Sequence, residues 1–143
     1  MKDASAVSAF LGLVVCLLAL GGCAGGRDKA AAGIFPKPFV HALEDPADYH
    51  VLLTGKPQTW GMRSGRVRLA PGKSIGRHNT NANEELLVFF SGTGVAQIGE
   101  DTRLQVGAGK VAYIPSQTAH DIVNTGTEPL VYVFCVAPAG GGH

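Results

Sequence analysis

The stretch His78-Asn-Thr-Asn-Ala-Asn-Glu-Glu-Leu-Leu-Val-Phe-Phe-Ser-Gly92 runs from polar, metal-competent side chains straight into an apolar strand that stops at a glycine. On a strand, alternate side chains share a face, so Glu85 belongs with Leu87 and Phe89 while Glu84 points the other way, toward solvent. An unpaired carboxylate on an apolar face is expensive. Glu85 therefore requires a metal, neighbouring histidines or the loss of its charge. Asn79, Asn81 and Asn83 are turn formers.

Working outward, the stretch has a regular frame. Gly72, five residues, His78, one residue, Thr80, four residues, Glu85, six residues and Gly92 form one motif. Gly109, five residues, Pro115, one residue, Gln117, two residues, His120, three residues and Asn124 form a second. In this order and spacing the two resemble the paired motifs of the cupin family, over about residues 46 to 138. Two positions depart from the family pattern, which has His at Thr80 and Gly at Gln117. Two ordered motifs are far harder to meet by chance than one. The resemblance implies an all-β fold, a single-domain cupin jelly-roll β-barrel, also called a double-stranded β-helix. It also implies that Gly72, Gly92, Gly109, Pro115 and Asn124 are framework residues that set turns.

Composition agrees with one small β-domain. The 143 residues are 45% apolar and 16% charged, an ordinary globular balance. Twenty Gly and eight Pro interrupt short Val, Ile, Leu and Phe runs, which favours tight turns between short strands. A formal net charge of +1 and no run of five or more Lys/Arg exclude an electrostatic footprint for nucleic acid.

Residues 1–22 read as a lipoprotein signal peptide. Lys2 precedes an apolar run from Phe10 to Leu20 that is too short to span a bilayer, which needs about 20 residues. Leu20-Gly21-Gly22-Cys23 then resembles the lipobox of bacterial lipoproteins, in which the cysteine becomes the acylated first residue. That reading makes the protein exported and lipid-anchored to a bacterial membrane, facing the periplasm or the cell exterior. Residues 23–47, rich in Gly, Ala and Pro, form a flexible tether. Within it, Ile34 to Val40 carries enough apolar surface to lie along the barrel or across the partner of a homodimer, with Pro36 and Pro38 restricting it to an edge. Residues 48–138 form the cupin domain and 139–143 a tail.

Strands are expected at Val51–Thr54, Thr59–Arg63, Arg66–Leu69, Leu86–Ser91, Val95–Ile98, Val111–Ile114, His120–Val123 and Leu130–Val136. Val67 and Leu69 should face the core, with Arg66 and Arg68 solvated opposite. Leu86–Ser91 and Val95–Ile98 read as a hairpin across Ser91–Gly94. Cys135, the only thiol left once Cys16 is removed and Cys23 acylated, reads as a buried small hydrophobe rather than a nucleophile. Tyr113 reads as core and Gln97 as surface.

Two imidazoles and a carboxylate offer lone pairs suited to a borderline divalent metal, Fe, Mn, Ni or Zn. In the cupin family the ligands are two His and the Glu of the first motif and the His of the second. The resemblance thus implies His78, Glu85 and His120 as ligands, with Thr80 at a vacated ligand position open to water or substrate. Two His and one carboxylate with open positions is the composition of non-haem Fe(II) oxygenases. The sequence supports a metal-dependent enzyme, dioxygenase-like or isomerase-like, acting on a small molecule. The alternative is a non-catalytic ligand-binding or sensing lipoprotein with a degenerate site. No catalytic residue beyond the candidate ligands stands out.

Overall fold

The structure, a computed structural model, describes residues 35–140. Residues 1–34, which include the expected signal peptide and the expected acylation site at Cys23, and 141–143 lie outside the described residues. Eight antiparallel strands follow in order: β1 Tyr49–Thr54, β2 Arg63–Leu69, β3 Asn83–Ser91, β4 Thr93–Ile98, β5 Thr102–Gly107, β6 Val111–Ile114, β7 His120–Asn124 and β8 Leu130–Pro138. They make a five-stranded sheet, β1-β2-β8-β3-β6, and a three-stranded sheet, β5-β4-β7. Among the described residues no helix is long and apolar enough to cross a membrane.

The core lies between the sheets. Val67, Leu87, Phe89, Ile114, Leu130 and Tyr132 come from the larger sheet, Ala96, Val106 and Ile122 from the smaller. This is the expected all-β jelly roll. Strand alternation works as the sequence predicts at β3, where Glu85, Leu87 and Phe89 are buried and Leu86 is exposed. On β8 it refines the reading. The run looks uniformly apolar, yet Leu130, Tyr132 and Val136 are buried while Cys135 is only half-buried, paired with Leu86 on the outer face. Its sulfur sits 3.6 Å from the Ser64 hydroxyl.

Several expectations change. β3 and β4 do not form a hairpin. β3 pairs with β6 and β8, whereas β4 pairs with β5 and β7, so Gly92 is a corner at which the chain passes from one sheet to the other. Gly92 has φ 75°. A Cβ there would lie 2.5 Å from the Pro129 carbonyl oxygen and 2.8 Å from the Leu130 Cα. Thr59–Met62 is a loop, because Thr59 donates its amide to the Gly55 carbonyl and its hydroxyl to the Met62 carbonyl. β5 carries too little apolar pattern to be seen in the sequence.

Arg66 does face away from Val67, but it is buried, not solvated. Residues 45–48 cross that face, and the Arg66 guanidinium donates to the carbonyls of Asp45 at 2.5 Å and Ala47 at 2.8 Å. Arg68 stays exposed, 4.0 Å from Asp48. Earlier in the same segment, Phe35 meets Trp60 edge to face at 5.8 Å.

The motif residues Gly72, Gly92 and Gly109 all have positive φ, which supports their role as turn formers. They differ in their surroundings: Gly109 would meet nothing within 4 Å of an added Cβ. Asn124 ties the sheets to their loops. Fully buried, it donates to the carbonyls of Leu69 at 2.8 Å and Glu128 at 2.9 Å and accepts from the Gly126 amide at 2.9 Å.

Gly92→Ala should therefore cost about 2–4 kcal/mol, from backbone overlap added to a left-handed conformation. Gly109→Ala should cost about 1 kcal/mol, from conformation alone. Urea-unfolding midpoints of the two variants check this ordering.

Candidate metal centre

Three separate pieces of chain deliver the site. Glu85 opens the buried face of β3, His120 opens β7, and His78 lies in the extended segment before β3. His78 belongs to no strand, but it is fixed to β7. Its amide donates to the His120 carbonyl at 2.9 Å and its carbonyl accepts from the His120 amide at 2.8 Å. The imidazoles consequently lie side by side, ring centroids 4.3 Å apart and planes tilted by 58°. One ligand atom from each of His78, Glu85 and His120 falls within 4.8 Å of the others.

Both rings are oriented by backbone. His78 Nδ1 is 2.8 Å from the Gly76 carbonyl oxygen, and His120 Nδ1 is 3.0 Å from that of Thr118. A carbonyl can only accept, so Nδ1 carries the proton in each ring and Nε2 is left with a lone pair when the ring is neutral. Such backbone anchoring of the far nitrogen is how metal-ligating histidines are held.

His120 Nε2 and Glu85 Oε2 are 3.1 Å apart, both buried, and neither is aligned with any hydrogen-bond partner. Two lone-pair-bearing atoms at that distance repel unless a cation lies between or beside them. A proton or a divalent metal meets the requirement. Without metal, burial pushes the His120 imidazole down. The Glu85 carboxylate 3.1 Å away, the Thr118 carbonyl and the charges of Glu85 and Asp121 together outweigh it and raise His120 above the ordinary 6.5. The donor set fits a borderline divalent ion.

Thr80 is buried beside these groups, and its hydroxyl donates to the Asn83 carbonyl at 2.9 Å. It closes a turn instead of supplying an imidazole. Asn79 and Asn83 complete that turn, accepting from the Asn81 amide and donating to the Thr80 carbonyl, both at 2.7 Å. Gln117, where the motif has glycine, has φ 58° and donates its amide to the Asn81 carbonyl at 2.7 Å. The left-handed conformation explains why glycine suits that place.

The site opens into a cavity of about 810 Å³. Leu87, Ile122, Tyr132, Phe134 and Val136 provide apolar wall, and Arg63, Arg77 and the Asn79–Asn83 turn provide polar rim. His78 is the exposed member of the group, so the candidate centre is reached from its side. Arg63 was missed by the sequence reading, which had no means of placing it beside the motif. Tyr113 lies neither in the core nor in the cavity. It is exposed on the outer face and donates to Glu84, which is half-buried by that contact.

The family model for the Cupin domain matches residues 65–136 of this sequence. The chain belongs to the cupin family. Among curated relatives, glucose-6-phosphate isomerase of Thermococcus kodakarensis is 30% identical over 114 residues, 70% of this cupin. The match spans 59% of that protein's length. A solved protein of Bacillus halodurans superposes with a TM-score of 0.63 at 24% identity, covering 76% of this cupin and 86% of that chain. Oxalate oxidase in complex with glycolate superposes with a TM-score of 0.55 at 20% identity, covering 73% and 58%. At these identities the solved structures establish the fold.

Tyr132 lines the same cavity, almost fully buried. Burial, then the charges of Glu85 and Asp121 and the neighbouring Tyr49, hold its phenol neutral well above the usual 10. The unfolded chain ionises at that usual value, so stability is intact below it and falls as pH rises past about 10. Tyr132→Phe should flatten this alkaline loss, measured as urea midpoint against pH in variant and parent.

Proposed function

We propose that this cupin binds one divalent metal through His78, Glu85 and His120 and uses it on a small molecule held in the adjoining cavity, in oxygenase-type chemistry. The observation that carries the reading is the buried, unpartnered pair of Glu85 Oε2 and His120 Nε2 at 3.1 Å, with His78 Nε2 free to complete the set. When bound, the metal supplies a Lewis-acidic centre with open coordination positions. The chain does the rest. Gly76 and Thr118 hold the two imidazoles in the ligating tautomer, Thr80 leaves space where a fourth ligand would stand, and the apolar wall limits water around the substrate.

The cavity lining contains no carboxylate besides Glu85 and no lysine. A spare base for shuttling a substrate proton is thus absent among the described residues, which favours metal-centred chemistry over isomerisation by a side-chain base. A second reading, a ligand-binding lipoprotein without turnover, is favoured by Thr80, whose hydroxyl proton is already committed to Asn83. Metal content separates the two. For the membrane, the lipobox-like Leu20–Cys23 supports export and acylation at Cys23.

Purified protein should take up one equivalent of Fe(II), Mn(II), Ni(II) or Zn(II). Glu85→Gln should weaken binding at least tenfold with the fold intact by circular dichroism. Thr80→His should strengthen it by adding an imidazole, at about 1 kcal/mol of stability for the lost turn bond. A parent that binds no metal while Thr80→His does would replace the enzyme reading with the binding one. Mass spectrometry of membrane fractions should find a mature chain that begins at an acylated Cys23. Cys23→Ser should release the protein, and a variant still bound at the parental level would contradict the anchor.

A further inference from the structure

The larger sheet sets an arginine in line with the candidate metal centre. Arg63 pairs with Val136 across β2 and β8, and Val136 pairs with Glu85 across β8 and β3. Arg63, Val136 and Glu85 therefore form one cross-strand row. All three line the same cavity. Two strand spacings put the Arg63 and Glu85 backbones roughly 10 Å apart. The Arg63 stem passes close to the Gly55 turn, where an added Cβ would come 3.3 Å from the Arg63 Cγ.

The charges of the lining are unevenly satisfied. Arg77, the other guanidinium on the rim, donates to the Gly99 carbonyl at 2.9 Å and pairs with Glu100 at 2.7 Å. Glu85, the only lining carboxylate among the described residues, faces His120. Arg63 makes no ion pair among the described residues. One guanidinium, exposed at the mouth of the cavity, thus stands without a counter-charge among the described residues, across a partly apolar gap from a centre that gains positive charge when metal binds. Guanidinium favours planar or tetrahedral oxyanions through paired N–H donors.

We infer that the ligand of this cavity is a compact anion, a carboxylate or phosphate, whose charged group is received by Arg63 while its other end reaches the metal centre. The inference rests on the metal reading above for its second contact and on the Arg63 row for its first. Arg63 is a specificity-determining residue here, and a neutral ligand of the same shape leaves it unpaired.

The test titrates Zn(II)-loaded protein by calorimetry with glycolate, with its uncharged isostere glycolamide and with inorganic phosphate, each to millimolar concentration. Metal content is measured on every sample. At least one of the two anions should bind, and whichever binds more tightly identifies the favoured group. Glycolamide should bind at least tenfold more weakly than the favoured anion. Arg63→Gln should weaken the anion at least tenfold with metal content unchanged, Arg63→Lys should recover part of the loss, and Arg77→Gln should change affinity less than Arg63→Gln. Glycolamide binding as tightly as the favoured anion, parental anion affinity in Arg63→Gln, or no binding of either anion would overturn the inference. Failure of the metal reading looks different. Protein that takes up no zinc but still binds an anion in an Arg63-dependent way would remove the metal and keep the anion site.

Discussion

A carboxylate and an imidazole meet in the interior of this protein with no third group to separate them. Glu85 Oε2 and His120 Nε2 lie 3.1 Å apart, out of reach of solvent and of any aligned donor. Electrostatics in a poorly solvated setting makes that pair costly unless a cation joins it. The surroundings are arranged around this constraint. The Thr118 carbonyl fixes which nitrogen of His120 faces the carboxylate, and the His78–His120 bridge brings in a second lone pair from the neighbouring chain segment.

The fold makes the meeting possible by keeping its three contributors on different supports. Glu85 belongs to the five-stranded sheet and His120 to the three-stranded one, so their separation depends on how the two sheets close on the shared core. The corner at Gly92 sends the chain from one sheet to the other, and buried Asn124 ties the end of β7 to Leu69 of β2 and to the loop before β8. A shift at either place would alter the distance between carboxylate and imidazole without touching a ligand.

The two departures from the family pattern have different physical standing. Gln117 replaces a glycine in a left-handed conformation, a local cost that its amide bond to Asn81 helps offset. Thr80 exchanges an imidazole for a hydroxyl that closes the turn leading into β3. The first change leaves the chemistry of the site alone. The second sets a turn-closing hydroxyl where the family pattern has an imidazole.

The amino-acid sequence by itself determined the β architecture and the strand face that buries Glu85, and its likeness to the cupin motifs picked out the His78, Glu85 and His120 group that could hold a metal. These follow from local rules: period-two alternation, turn-forming glycines, and two motifs whose spacing is set by strand and loop length. Tertiary structure alone decided which strands pair. Ser91–Gly94 has the composition of a hairpin, but pairing is settled by which apolar faces close over one core, and that made Gly92 a corner. It also decided the fate of the charges. Arg66 reads as solvated because nothing local shows residues 45–48 crossing it, and Arg63 reads as unremarkable because its alignment with Glu85 passes through β8, which is distant in sequence. Local chemistry sets which way a side chain points along its own strand. What it meets there depends on contacts between segments that only folding brings together.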